Sequence, residues 1–182
     1  MIIFLDRDGV LNRFPGKGQY VTQWSQFSFL PGAKKAIRFL SDAGHELVVI
    51  SNQGGVSRGL LTKKDLKLIT DRMLEEIERS GGKIRKVFYC VHQTSDQCGC
   101  KKPKLGLIMK AVGRRRGVLK NAFFIGDSRE DIETAAGAGC RSILVLSGRS
   151  QKKDVSDFKA KPDKIKKNIL EAARWILKRT RS

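Results

Sequence analysis

An α/β fold, a parallel β-sheet covered by helices on both faces, is the class that this sequence predicts, and three observations carry it. Five short apolar runs recur along the chain, and segments with helical periodicity separate them. No repeat, low-complexity tract or long linker divides the 182 residues, so one domain over 1–182 is expected. Strands alternating with helices imply parallel pairing, because a helical crossover returns the chain to the end of the sheet from which the previous strand started.

The elements follow in order. Residues 2–5 of Met1-Ile2-Ile3-Phe4-Leu5 form a strand, 33–43 a helix, and 46–50 (Glu-Leu-Val-Val-Ile) a second strand. A helix over 62–80 opens at Thr62, an N-cap with Asp65 three residues on, the pattern of a capping box. Strand 86–91, helix 105–116, strand 122–125, helix 129–138, strand 142–146 and a final helix over 163–179 complete the series.

Composition narrows the function classes. A chain of this size buries roughly 70% of its unfolded surface and needs no staple for stability. No apolar run approaches the ~20 residues of a membrane span, and Asp6 interrupts the first run too early for a signal peptide. A cytoplasmic, reducing setting is therefore expected, with no membrane partner. The formal net charge is +19, and residues 101–150 and 151–182 each carry an excess of seven cations. Such a surface attracts phosphorylated metabolites, acidic partners or nucleic acid without choosing among them. Nucleic acid is not the partner expected here. Arg114-Arg115-Arg116 reads as a helix end stabilised by its dipole, and Trp175 as core-facing on the last helix.

In a parallel sheet, ligands collect beyond the carboxyl ends of the strands. The first strand ends in Asp6-Arg7-Asp8-Gly9, two carboxylates two residues apart. The second delivers Ser51-Asn52-Gln53-Gly54-Gly55, the fourth Gly126-Asp127-Ser128-Arg129-Glu130-Asp131, and the loop before the third helix Lys101-Lys102-Pro103. These parts suit phosphoryl transfer. Asp6 is the candidate nucleophile, forming an aspartyl phosphate, and Asp8 the acid that protonates the leaving alkoxide and then activates water. Magnesium is expected on the Asp6 carboxylate, Asp127 and the Asp8 carbonyl, with Ser51 and Lys102 on the phosphoryl oxygens. Taken singly, each residue has a structural explanation as a cap, a turn or a solvated cation. The set does not.

Asp6-x-Asp8-Gly9, Ser51, Lys102 and Gly126-Asp127-x-x-x-Asp131 resemble, in order, the four motifs of the haloacid dehalogenase superfamily of phosphatases. Phe4 to Asn12, Val48 to Gly59 and Cys98-x-Cys100-x-Lys102-Pro103 are similar to the group of heptose 1,7-bisphosphate 7-phosphatases, siblings of the histidinol-phosphate phosphatases. The resemblance implies a Rossmann-like domain with a minimal cap, a monomer, and hydrolysis of a small sugar phosphate, most directly the 7-phosphate of D-glycero-D-manno-heptose 1,7-bisphosphate. Histidinol phosphate is the alternative substrate.

Cys90-Val91-His92 and Cys98-Gly99-Cys100 offer four ligands within 90–100, enough to close a tetrahedral zinc site with no open position. Their one-residue spacers are tighter than usual, and a loop of reduced thiols is the bland reading. The resemblance implies zinc here, because both sibling groups carry such a loop just ahead of the motif lysine. Cys140 reads as a buried small apolar residue and His45 as a surface or packing residue.

A bisphosphate needs a second anion site, for which Lys101, Arg58 and Arg129 are the nearby cations, with Asn52, Gln53 and Tyr20 as further substrate contacts. The resembling group commonly has arginine at the position of Lys101, where lysine supplies only a point charge. It also has serine at Gly54 and a second proline at Leu105. Phe14 to Val21 is expected to form a flap over the pocket. Weaker alternatives are a polynucleotide 3′-phosphatase and a non-enzymatic phospho-receiver or zinc-containing nucleic-acid module. A receiver keeps its aspartyl phosphate, whereas Asp8 should hydrolyse it.

Overall fold

The computed structural model describes residues 1–180 and is organised around one six-stranded, wholly parallel sheet. The strands are β1 (Ile2–Leu5), β2 (Glu46–Asn52), β3 (Lys86–Cys90), β4 (Phe123–Gly126), β5 (Arg141–Val145) and β6 (Lys164–Lys166), in the order β3-β2-β1-β4-β5-β6. The helices are α1 (Ala33–Asp42), α2 (Lys63–Arg79), α3 (Gly106–Val112), α4 (Arg129–Ala138) and α5 (Ile169–Thr180). The Rossmann-like expectation holds, with the order reversing at β1 and β4, the point where such sheets open a crevice.

Pleating explains why the strands read as continuous apolar runs. Successive side chains point to opposite faces, and here both faces are covered. Ile3 and Leu5 join Val49, Ile125 and residues of α1, α2 and α5 in one buried cluster. Ile2 and Phe4 join Val48, Ile50, Phe124 and residues of α3 in the other. Cys140 is buried in the second cluster, and Trp175 packs edge-on against Phe123 at 5.9 Å. The capping box of α2 forms as expected, Asp65 N–H donating to Thr62 Oγ1 at 3.1 Å and Thr62 N–H to Asp65 Oδ2 at 2.8 Å. Arg115 in the basic triplet pairs with Glu46 at 3.2 Å.

Two expectations fail. The segment 163–179 is not one helix: Lys164–Lys166 adds a sixth strand on β5, and α5 begins only at Ile169. Lys164-Ile165-Lys166 alternates polar and apolar residues, and Ile165 packs beside Leu144 and Phe158 while Lys164 Nζ lies 5.8 Å from the Trp175 ring centre on the other face. Asn168 is the overlooked start signal, its Oδ1 accepting the Glu171 N–H at 3.0 Å. The helix expected over 105–116 stops at Val112, because Gly113 has a positive φ of 56° and the chain turns into a 3-10 segment at Arg116–Asn121.

Asn168→Ala should remove that cap and cost about 1 kcal/mol, a fall of roughly 2–4 °C in melting temperature, whereas Asn168→Asp should leave it nearly unchanged. A thermal scan of both variants checks this.

Candidate active site

The carboxyl ends of β1, β2 and β4 open into a cleft of ≈ 350 Å³ whose walls include Asp6, Asp8, Ser51, Asn52, Lys102 and Asp127. Four segments distant in sequence thus meet on one rim. Asp6 extends β1, its N–H donating to the Ile125 carbonyl of β4 at 3.0 Å. Asp8 lies in the turn that follows, where Leu11 N–H donates to the Arg7 carbonyl at 2.8 Å and Gly9 has a φ of +83°.

Lys102 is the centre of the charge pattern. Its Nζ donates to the Ile50 carbonyl at 3.0 Å and to Asp131 Oδ1 at 2.5 Å, and lies 2.8 Å from Asp6 Oδ1. The last contact is an ion pair without the angle of a hydrogen bond, so buried Asp6 Oδ1 has no hydrogen-bond partner. Burial opposes the Lys102 charge, but Asp131 and Asp6 outweigh it and hold the ammonium protonated. Asn52 places the lysine backbone, accepting the Lys102 N–H at 3.0 Å and donating to its carbonyl at 3.2 Å.

Asp131 is wholly buried, and its Oδ2 accepts from Ser128 Oγ at 2.6 Å and from the N–H groups of Asp127 and Ser128 at 3.2 Å. It therefore caps α4 while its other oxygen holds Lys102. Asp127 Oδ2 accepts the Arg149 N–H at 2.6 Å. Glycine surrounds this carboxylate for a steric reason: a Cβ on Gly9 would lie 2.9 Å from Gly148 Cα and overlap Asp127 Oδ2, and one on Gly148 would overlap the same oxygen.

Asp6, Asp127 and Asp131 each offer a carboxylate oxygen within 4.8 Å of the others. Burial pushes the Asp6 carboxyl up to about 6, with Lys102 opposing and Asp131 and Asp8 adding to the rise. Burial, then Asp6 and Asp131, push Asp127 well above the ordinary carboxylate range. Three crowded, buried carboxylates that a single ammonium only partly neutralises fit a hard divalent cation such as magnesium. Both oxygens of Asp131 are taken, by Lys102 and by the α4 cap, whereas Asp6 and Asp127 are each engaged through one oxygen, so these two are the ligands left of the three.

Asp8 is held differently, by Arg7, Asn12 and Gln53. Gln53, expected to touch substrate, is instead fully buried, donating to Asp8 Oδ2 at 2.7 Å and to Ser51 Oγ at 3.2 Å. Tyr20, Arg58 and Lys101 do line the cleft, with the Arg58 guanidinium 5.8 Å from the Tyr20 ring centre and Lys101 Nζ donating to Thr94 Oγ1 at 2.8 Å. Arg129 does not; it lies in a neighbouring cleft and pairs with Glu133 at 3.6 Å. Arg149 takes its place, bonded to Glu130 at 3.3 Å, together with Lys17 from the flap. Arg149 was findable, because Ser147-Gly148-Arg149 follows β5 just as the other site segments follow their strands. Phe14 to Tyr20 line one side of the cleft, and Gly55 is needed beneath, since its Cβ would lie 2.9 Å from Tyr20 Cγ.

The cysteine loop brings its four ligands together. Cys90 Sγ is 3.6 Å from Cys98 Sγ and 3.2 Å from Cys100 Sγ, and Cys98 and Cys100 are 3.6 Å apart. His92 Nδ1 lies 3.6 Å from Cys90 Sγ and 3.3 Å from Cys100 Sγ. A tetrahedron with zinc–sulfur bonds near 2.3 Å has S–S edges of about 3.8 Å, whereas a disulfide needs about 2.05 Å. All four cysteines are free, and the donor set fits zinc. Lys101 and Lys102 leave this cluster directly, so the loop sets where the lysine enters the cleft.

Three comparisons bear on this geometry. A family model described as HAD-hydrolase-like matches residues 99–172. D-glycero-beta-D-manno-heptose-1,7-bisphosphate 7-phosphatase of Neisseria meningitidis serogroup A is 32% identical over 151 residues, 83% of this chain and 80% of that protein. D-glycero-alpha-D-manno-heptose-1,7-bisphosphate 7-phosphatase of Mycobacterium tuberculosis is 37% identical over 155 residues, 81% of this chain and 80% of that protein. Among solved structures, D,D-heptose 1,7-bisphosphate phosphatase from B. bronchiseptica, complexed with magnesium and phosphate, superposes with a TM-score of 0.90 at 31% identity, covering 98% of both chains.

The carboxyl group of Asp6 makes a signed prediction. Its folded value near 6 exceeds the ordinary 3.8, so without metal its contribution is full below about 3.8 and is lost as pH rises through about 6. Magnesium competes for the ionised form, and its stabilisation should therefore be larger at pH 7.5 than at pH 5. Melting curves with and without the ion at both pH values check the sign. Zinc removal by a chelator, or Cys98→Ser, should cost about 2 kcal/mol or more, a melting shift of at least roughly 4 °C. Full activity with unchanged melting in protein shown free of zinc by elemental analysis contradicts a structural role for the metal.

Proposed function

The chain belongs to the family of haloacid dehalogenase-like phosphatases, and from that premise we propose that it removes the 7-phosphate of D-glycero-D-manno-heptose 1,7-bisphosphate through an aspartyl phosphate. The observation that carries this reading is the meeting of Asp6, Asp8, Ser51, Lys102 and Asp127 on one cleft whose outer wall holds Lys17, Arg58, Lys101 and Arg149.

Asp6 attacks phosphorus with a carboxylate oxygen, in line with the departing sugar oxygen. The Asp8 carboxyl gives its proton to that oxygen as the bond breaks, and the resulting carboxylate then draws a proton from the water that attacks phosphorus, breaking the Asp6–phosphorus bond, releasing phosphate and restoring both aspartates. Ser51 Oγ donates to a phosphoryl oxygen. The Lys102 ammonium turns its Asp6-facing proton to the phosphoryl group while Ile50 and Asp131 keep its other two in place. Asp6, Asp127 and the Asp8 carbonyl would hold magnesium, which would supply the positive charge that lets an anionic nucleophile approach an anionic ester.

The outer cations favour a bisphosphate over histidinol phosphate. The transferred phosphate occupies the aspartate end, and a second one meets Lys17, Arg58 and Lys101 at the outer wall, beside Arg149, which is paired with Glu130. The ammonium of histidinol phosphate would meet the same charges unfavourably. Lys101 contributes an undirected charge. Relatives named for both anomers make the anomer a matter for assay.

Turnover of phosphorylated metabolites with magnesium, comparing both heptose bisphosphate anomers with histidinol phosphate, tests the substrate. Preference for histidinol phosphate rejects it. Asp6→Asn should abolish turnover while sparing the fold, and Asp8→Asn should lower kcat roughly 10² to 10⁴-fold, with phosphoenzyme trapped on Asp6. Magnesium-dependent turnover in Asp6→Asn, followed by phosphate release, refutes the nucleophile.

A further inference from the structure

Arg7 plays no part in the steps above, yet it heads the side chains that the fold buries completely. Its Nη2 donates to both oxygens of Asp8 at 3.0 Å and its Nε to Oδ1 at 3.2 Å. The same Nη2 reaches Gln53 Oε1 at 3.0 Å, and Gln53 returns a bond to Asp8 Oδ2 at 2.7 Å. Arg7, Gln53 and Asp8 thus close a triangle. Behind it, the guanidinium carbon lies 5.7 Å from the centre of the Tyr89 ring on β3, and the Tyr89 hydroxyl meets Thr70 Oγ1 of α2 at 3.0 Å.

Stability alone is a poor reason for this arginine. Arg7 loses all of its water while Asp8 keeps a 15% exposed edge on the cleft, and the desolvation of a buried charge offsets much of what its ion pair gains. Arg7 Nη1 is buried without a partner, which adds a further penalty. What a guanidinium offers over other side chains is a planar fork that sets the orientation of a carboxyl group.

We propose that Arg7 is a positioning residue, whose fork, braced by Gln53, holds the Asp8 carboxyl group at the angle from which it passes protons at the cleft. The inference rests on the acid/base reading of Asp8. In the first half-reaction the Asp6–phosphorus bond forms, the bond from phosphorus to the sugar oxygen breaks, and the Asp8 proton moves to that oxygen, so the alcohol leaves neutral. A misaligned Asp8 slows this step only where the leaving oxygen is basic. Dinitrophenolate departs as an anion and needs no proton.

The test uses single-turnover reactions of the zinc- and magnesium-loaded enzyme with heptose bisphosphate and with 2,4-dinitrophenyl phosphate. Arg7→Gln should lose roughly 10²-fold on the sugar ester and no more than about threefold in the release of dinitrophenolate, with Arg7→Lys between it and the parent enzyme. Retained dinitrophenolate release shows that the site is assembled, and Arg7→Lys carries the test if Arg7→Gln does not fold. Asp8→Asn run in parallel should show the same split. Equal losses on both esters, or no loss on either, overturn the role of Arg7 when Asp8→Asn does show the split. Absence of the split in Asp8→Asn removes the acid/base reading of Asp8, and the assignment of Arg7 with it.

Discussion

The ammonium of Lys102 is the contact on which the active end of the sheet depends. Asp6, Asp127 and Asp131 are buried with ligand oxygens within 4.8 Å of one another. At an effective dielectric near 20, each ionised pair at such a distance repels by about 3–4 kcal/mol. Lys102 touches two of the three and is itself buried, so it offsets the repulsion where solvent cannot. The relation is mutual, because the same carboxylates are what keep a buried amine protonated. Remaining negative charge is the electrostatic reason that the cleft suits a cation and then a phosphoryl group.

That arrangement needs the lysine delivered to one place, and three local devices deliver it. Asn52 at the end of β2 clamps its backbone. The cysteine cluster pins the loop immediately before it, with Lys104 Nζ donating to the Cys98 carbonyl at 2.8 Å and Gly106 N–H to the Gly99 carbonyl at 3.1 Å. Asp131 waits for it at the first turn of α4, fixed by the Ser128 cap. A residue that looks like helix capping in isolation is thus half of the charge balance in the site. Glycines at 9 and 148 complete the picture by leaving room for the Asp127 carboxylate, which any side chain there would displace.

Most of the fold is legible along the chain because its signals are local. Both-face burial makes β1, β2, β4 and β5 read as apolar runs, and the capping box of α2 announces its own start. The exceptions are elements whose reasons lie elsewhere. β6 is three residues long and is a strand only because β5 offers it an edge and Leu144 and Phe158 a surface for Ile165. The end of α3 hangs on one glycine φ, and helical periodicity beyond it outweighed that signal.

Residue types and their positions after strands determined, by themselves, that this is an α/β chain with two aspartates, a serine, a lysine and a further aspartate at one rim, and with a cysteine loop ahead of the lysine. Those readings need only the rule that strand ends converge. Tertiary structure alone decided which groups share a contact: that Gln53 turns inward to Asp8, that Arg149 and not Arg129 faces the cleft, and that Arg7 lies buried against Asp8 and Tyr89. The reason is physical. Burial and side-chain direction depend on packing from segments distant in the chain, and a charged residue carries no mark in sequence of whether water or a carboxylate will satisfy it.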